Sequence, residues 1–214
     1  IPVKVKLGLA IMITILVMPV VEKSLPQIDP ASGIGLIILL QQVLIGVAIG
    51  FVMRIVFVAV ETAGELIGLQ MGLGFAIFFD PQSSGQIDII GRFLGVIASL
   101  AFLAIDGHLM MIALISQSFS TLPVGSDGIT NVTFTTLANW GGEIFKSGLQ
   151  LSLPVLTALL ITNLALGILT RVAPQLNIVA VGFPLTLSIG LFVLAFSMPF
   201  YAPILEYLVH DALN

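Results

Sequence analysis

The stretch Pro30 to Met53, PASGIGLIILLQQVLIGVAIGFVM, decides the fold. It carries no charged side chain, and about 20 such residues rising 1.5 Å each are enough to cross the hydrocarbon core of a bilayer. A backbone in lipid has no water to bond, so the stretch is read as a helix that closes its own hydrogen bonds. Further charge-free intervals repeat the pattern. Phe93 to Ile105 and the run from Gly107 up to Asp127 form a pair broken by Asp106, Ser147 to Thr170 is another, and Val172 to Leu205 is the longest. Pro184, Pro199 and Pro203 lie inside that last run and remove backbone donors. The reading there is a kinked helix ending near Met198, with Glu206 to Asn214 as a short polar-edged tail.

Composition sets the same bound from outside. With 58% hydrophobic and only 8% charged residues, and a mean hydropathy of +1.18, the chain has too little polar surface to cover a soluble core of its size. The formal charge is −4 and the seven Lys and Arg are scattered singly, so no basic stripe exists to neutralise phosphates and nucleic acid is excluded as a partner. The chain has no cysteine, hence no disulfide framework and no thiolate for metal or catalysis. It begins at Ile1 instead of Met, so an upstream segment is expected. Lys4 and Lys6 precede the apolar run Leu7 to Val21, but Pro19, Val20, Val21 and Glu22 form no small-residue cleavage site. The run is read as a retained helix.

Turn chemistry divides the chain into antiparallel neighbours. Glu22 to Pro30, Asp106-Gly107, and Arg171 to Asn177 around Pro174 carry the residues that stop helices. The long polar connection Thr121 to Trp140 collects Pro123, Gly125, Ser126, Asp127 and Gly128, and places a boundary near Ser147. Helices that pack in a bilayer approach through small residues. Gly46/Gly50, Gly64/Gly68/Gly72 and Gly91/Gly95 repeat at four-residue spacing, and these faces are expected to pack against other helices.

Arg54, Glu61 and Glu65 stand seven and four residues apart, on one helical face. Charge in hydrocarbon is costly, which leaves three readings: an ion or proton pathway, structural ion pairs between subunits, or a helix segment outside the lipid. Asp88 and Arg92 are read as an intrahelical pair at a helix start. No catalytic constellation is present. The G-x-S-x-G, G-x-x-x-x-G-K-[ST] and H-E-x-x-H patterns are absent, and Asp106 beside His108 reads as a turn. No metal site and no cofactor are expected.

Gly64 to Gly85, GELIGLQMGLGFAIFFDPQSSG, concentrates Met71, Phe75, Phe78 and Phe79 beside glycines, before an Asp-Pro turn. Soft and bulky apolar side chains next to pliable backbone suit a constriction that closes a pore and deforms to open it. From the residues alone an ordinary packed core is the stronger reading, since Met and Phe at helical spacing usually fill space.

The blocks GLQMGLGFAIFFDPQSSG, DGHLMMIALISQSFSTLPVG and RVAPQLNIVAVGFPLTLSIGL together resemble the FliR family of flagellar biosynthetic proteins, over nearly the whole chain. Gln70-Met71-Gly72-Leu73-Gly74 favours the flagellar branch over the related injectisome proteins. The resemblance implies an all-α, membrane-associated set of helical hairpins. In it a FliP-like region, Ile1 to about Lys146, is fused to a FliQ-like hairpin and tail, Ser147 to Asn214, and the chain assembles with FliP and FliQ into a helical spiral around a pore. It also implies FlhB and FlhA as further partners, unfolded flagellar subunits as cargo, and no enzymatic activity. The expected site is the bacterial inner membrane at the flagellar basal body, with helical mass displaced toward the periplasm. The family's plug loop falls on Leu73 to Gly85, so Phe75, Phe78 and Phe79, with Met71 beside them, are expected to occlude the channel. Arg54, Glu61, Glu65 and Arg171 become assembly residues, and Gly64, Gly68 and Gly72 packing positions. A secondary transporter using Arg54, Glu61 or Glu65 at its midplane is the alternative.

Overall fold

The charge-free intervals are helical in the computed structural model, which describes residues 2–21, 29, 32–75, 88–125, 131–174 and 178–213. Among these the chain is all-α: α1 (Val3–Val21), α2 (Gly33–Gln70), a 3-10 turn (Leu73–Phe75), α3 (Ile89–Ala104), α4 (Gly107–Thr121), α5 (Asn131–Val172) and α6 (Ile178–Leu213). Three helices, α2, α5 and α6, are long and apolar enough to cross a membrane, and α3 with α4 forms a bent pair at 68°. The expected turn from Glu22 to Pro30 lies outside the described residues apart from Asp29.

Local chemistry fixes the starts and breaks. Ser32 caps α2, its Oγ accepting from the Gly35 N–H at 3.1 Å, and Asp88 caps α3 by accepting from the Gly91 N–H at 2.7 Å. Each supplies an acceptor to an amide that has no helical partner. The break between α3 and α4 falls on Asp106, whose φ of 55° is left-handed, a conformation that Asp tolerates better than most residues. Gly107 follows because a side chain there would collide with the Phe102 ring.

Two expectations need correction. The connection drawn from Thr121 to Trp140 is shorter, because α5 already begins at Asn131, although the Thr and Asn residues there are poor helix formers. Ser147 lies within that same helix of 42 residues. Finally, α6 does not end near Met198 but runs through Pro199 and Pro203 to Leu213. The expected tail is therefore helix as far as Leu213, and it buries Leu208 and Val209. Ser188 donates to the Pro184 carbonyl at 2.7 Å and Ser197 to the Val193 carbonyl at 2.7 Å, both one turn back along the same helix.

Packing concentrates on the second half of α2. Met53, Val56, Val60, Ala63, Ile67 and Met71 recur at three- and four-residue intervals and are all buried, the stripe a helix presents to a core. Against it pack Ile90, Leu94 and Ala98 of α3, Leu151, Val155 and Leu159 of α5, and Leu194, Tyr201 and Leu205 of α6. Close approach comes from missing side chains. A Cβ on Gly64 would fall on the backbone of Gly91 and Ile90, and one on Gly148 would stand 3.0 Å from the Ala59 carbonyl oxygen. The buried Tyr201 hydroxyl donates to the Leu151 carbonyl at 3.0 Å, tying α6 to α5 three residues before Pro154. The first half of α2 is different: Ile34, Leu36, Ile37, Leu40 and Val47 are exposed, and a Cβ on Gly46 or Gly50 would meet nothing within 4 Å. Gly46 and Gly50 instead line, with Met111, Ile115 and Phe119 of α4, a cavity of about 210 Å³, and make no close helix contact among the described residues.

Substituting the two kinds of glycine separates these roles. Gly64→Ala is expected to cost about 1–3 kcal/mol as overpacking, whereas Gly50→Ala changes stability by no more than about 0.5 kcal/mol. Thermal unfolding of the detergent-purified chain reads the difference, and equal effects would contradict the packing described.

Candidate functional site

The region from Glu61 to Phe75 brings together most of the residues singled out in the sequence. Helix α2 ends where Met71 and Gly72 donate their N–H groups to the carbonyls of Ile67, at 2.9 Å, and Leu69, at 3.0 Å. Gly72 then takes φ of 89°, a left-handed conformation open to glycine and strained for residues with a Cβ. It thus turns the chain out of α2. The 3-10 turn Leu73–Phe75 follows, and the chain is described again at Asp88, the cap of α3.

Both roots of the intervening segment are therefore fixed. On the entering side, Gly68 faces Ile90 at ordinary contact distance, 3.7 Å from a Cβ to the Ile90 Cγ1. On the leaving side, Asp88 holds the Gly91 amide, and Gly91 touches Gly64. Of the expected plug residues, Phe75 has its backbone in the 3-10 turn, and Phe78 and Phe79 lie outside the described residues. Met71 is wholly buried in the core, where it anchors the root of the segment instead of presenting a free apolar surface.

Met71 is held by residues that the sequence did not single out. Thr186 of α6 donates its hydroxyl to the Met71 carbonyl at 3.1 Å, across 115 residues of sequence, and to the Phe183 carbonyl at 3.1 Å. One turn further, Gly190 leaves room for the Met71 side chain: a Cβ there would lie 2.5 Å from Met71 Cε and 2.7 Å from Cγ. Nothing local in the sequence signals this pairing, since Thr186 and Gly190 are ordinary residues of an apolar helix. Pro154 and Tyr201, which also lie far apart in sequence, border with Phe192, Phe196 and Phe200 an apolar cavity of about 420 Å³ between α5 and α6. It has few polar groups, and no catalytic side chains converge in it.

The charged face of α2 is assembled as a pair and a bystander. Arg54 Nη2 and Glu61 Oε2 are 3.1 Å apart, with the side chains 63% and 35% exposed, while Glu65 is exposed on the same helix outside the pair. The Glu61 carboxylate sits beside Gly95 of α3, where a Cβ would come within 3.4 Å of Oε1. A pair this open contributes about 0–1 kcal/mol in water, so it does little to hold the chain itself together. Asp88 and Arg92 do not form the expected ion pair; the Asp88 carboxylate is engaged as the cap of α3. A second pair, Lys146 Nζ to Glu143 Oε1 at 2.8 Å on α5, follows the i, i+3 spacing of EIFK. Arg171 is exposed in the last turn of α5. Among the described residues no group of three His, Asp or Glu side chains converges to hold a metal ion.

Comparison with known proteins agrees with this membrane-helix architecture. The family described as Bacterial export proteins, family 1, matches residues 1–212. The flagellar biosynthetic protein FliR of Pectobacterium carotovorum subsp. carotovorum is 47% identical over 211 residues, 99% of this chain and 80% of that protein. FliR of Escherichia coli K12 is 47% identical over 216 residues, 100% of this chain and 81% of that protein. FliR of Bacillus subtilis 168 is 28% identical over 197 residues, 90% and 75% of the two. With an all-α fold, three long apolar helices and a match along nearly its whole length, the chain belongs to the bacterial export proteins, family 1, and within them to the FliR flagellar biosynthetic proteins.

Proposed function

We propose that the chain is a structural subunit of the flagellar type III export gate, forming part of the channel wall and supplying a plug to it, with no enzymatic role. Unfolded flagellar subunits pass through the assembled pore, and FliP and FliQ complete its wall, with FlhB and FlhA adjoining it. The observation that carries this reading is the family match over residues 1–212, together with a segment whose two roots are fixed on the α2–α3 contact. A loop held at both ends and rich in bulky apolar side chains suits a plug that is displaced without detaching.

The geometry of α2 supports the assembly roles. At 1.5 Å per residue its 38 residues extend about 57 Å, nearly twice the thickness of a hydrocarbon core. If the charge-free half from Gly33 spans lipid, Arg54, Glu61 and Glu65 lie beyond it. Of the three readings of those charges, a segment outside the lipid then carries no desolvation cost. We place this half of the helix toward the periplasm, in the inner membrane at the basal body, where its exposed charges meet neighbouring subunits. Arg171 at the end of α5 serves the same purpose. The residues 1–146 and 147–214 act as FliP-like and FliQ-like regions sharing the single helix α5. The transporter alternative requires Arg54, Glu61 and Glu65 around an enclosed midplane site, and the 63% exposure of Arg54 speaks against it.

Two experiments bear on the proposal. Native mass spectrometry of the tagged chain co-expressed with FliP and FliQ of the same organism is expected to give a discrete complex with one copy of this chain. A stable monomer or homodimer, obtained despite the partners, contradicts it. In cells, deletion of residues 76–85 is expected to raise small-ion leak, with Phe78→Ala and Phe79→Ala intermediate. Glu61→Gln, by contrast, is expected to leave transport largely intact; abolished transport in that variant with an unaltered leak in the deletion would favour the transporter.

A further inference from the structure

We propose that the face of α2 formed by Gln42, Gly46 and Gly50 is a docking surface for one helix of a neighbouring gate subunit, which seats a side chain in the cavity between α2 and α4 and offers a hydrogen-bond acceptor to the Gln42 amide. This rests on the gate reading of the preceding section and adds to it the place on this chain, and the chemistry, by which a partner is held.

Gln42 Nε2 is buried and has no hydrogen-bond partner, and a buried donor left unsatisfied is costly enough to call for one. The Gln42 side chain lines the cavity of about 210 Å³ together with Gly46, Gly50, Met111, Ile115 and Phe119. The last torsion of a glutamine is broad, so a turn of the amide presents its NH2 to whatever fills that cavity. Depth then selects the occupant. Gln42 stands 12 residues after Pro30 and 11 before Met53, the ends of the charge-free stretch. At 1.5 Å per residue that is at least about 16 Å from either end, the middle of a hydrocarbon core. Bulk water and lipid headgroups do not reach there, and acyl tails carry no acceptor, so the acceptor comes from protein. The glycines say how it arrives. Gly46 and Gly50 are exposed, a Cβ on either would meet nothing within 4 Å, and both share the Gln42 face at four-residue spacing. Small residues that admit a second backbone, beside a polar side chain that bonds across, are how helices hold one another in a bilayer. Leu39, Val43 and Val47 are exposed along the same stretch and supply an apolar rim. The fitting partner is an apolar helix with a small residue at the crossing and a Ser, Thr or Asn side chain to accept from Gln42.

The test uses the full chain co-expressed with its partner subunits, a photo-crosslinking residue in place of Val43, and immunoblots confirming equal amounts of protein. Val43 is 61% exposed, so its replacement leaves the core intact, and the expected product is an adduct with a partner subunit. Gly50→Leu fills the cavity and is expected to abolish that adduct. Gln42→Leu keeps the bulk and removes the amide, and is expected to lower the adduct yield about fivefold, the effect of one interhelical hydrogen bond. Should Gly50→Leu fail to accumulate, Gly46→Leu replaces it. An adduct with lipid alone, an adduct with a second copy of this chain, or a partner adduct undiminished by the glycine substitution or by Gln42→Leu refutes the docking surface; the gate reading stands in each case so long as the discrete complex with the partners still forms. If the parent chain forms no complex with them, both fall.

Discussion

At Gly64 and Gly91 two helix backbones touch with no side chain between them, and the arrangement of the site depends on that contact. It brings α3 against α2 six residues before the end of α2, so the chain leaves at Gly72 and returns at Asp88 near one place. Apolar helices in a bilayer gain little from hydrophobic burial against each other, because lipid is as apolar as they are. Close van der Waals contact and hydrogen bonds must supply the specificity. The glycine contact between α2 and α3, the Gly148 approach of α5 to Ala59 of α2, and the Tyr201 bond from α6 to Leu151 of α5 are three instances.

Helix α2 divides its length between two environments. Its first half is free of charge and exposes Ile34, Ile37, Leu40 and Val47, and its second half holds both the chain's core and its ion pair. Exposed apolar surface also continues along α6, where Phe192, Phe196 and Phe200 form a ridge at four-residue spacing. Ridges of this extent are covered in a membrane protein by lipid or by other subunits. Within an export gate both coverings are available, which is why a chain with so small an internal core is suited to assembly.

Much of this was legible from residue order, and the failures have physical causes. Charge-free length located α2, the bent pair at Asp106, α5 and α6, because the constraint on backbone hydrogen bonds in lipid is severe. The glycine spacing found Gly64 but could not distinguish it from Gly46 and Gly50, since all three are flanked by similar apolar residues and only one meets another backbone. Proline misled at the other end of the chain. In water Pro199 and Pro203 would stop a helix, whereas here α6 passes through both and the buried Leu205 and Val209 hold the segment beyond them. Met71 was read as part of the plug because it stands among aromatics; its burial depends on Gly190, 119 positions away in the numbering, and no local pattern encodes that. The capping of α3 by Asp88 was mistaken for an ion pair because i, i+4 spacing does not reveal which partner wins, and the amide of Gly91 is nearer.

The central claim is that the segment following Gly72 lies in the path of the exported chain, with its root fixed in the core. The most direct measurement places a photo-crosslinking residue at position 78 in the assembled complex and stalls a flagellar subunit partway through export. The account predicts an adduct between position 78 and the stalled subunit, and none from the same residue placed at Leu40 on the exposed first half of α2. Crosslinking at position 78 confined to lipid or to neighbouring subunits, with the substrate reacting elsewhere, would contradict it.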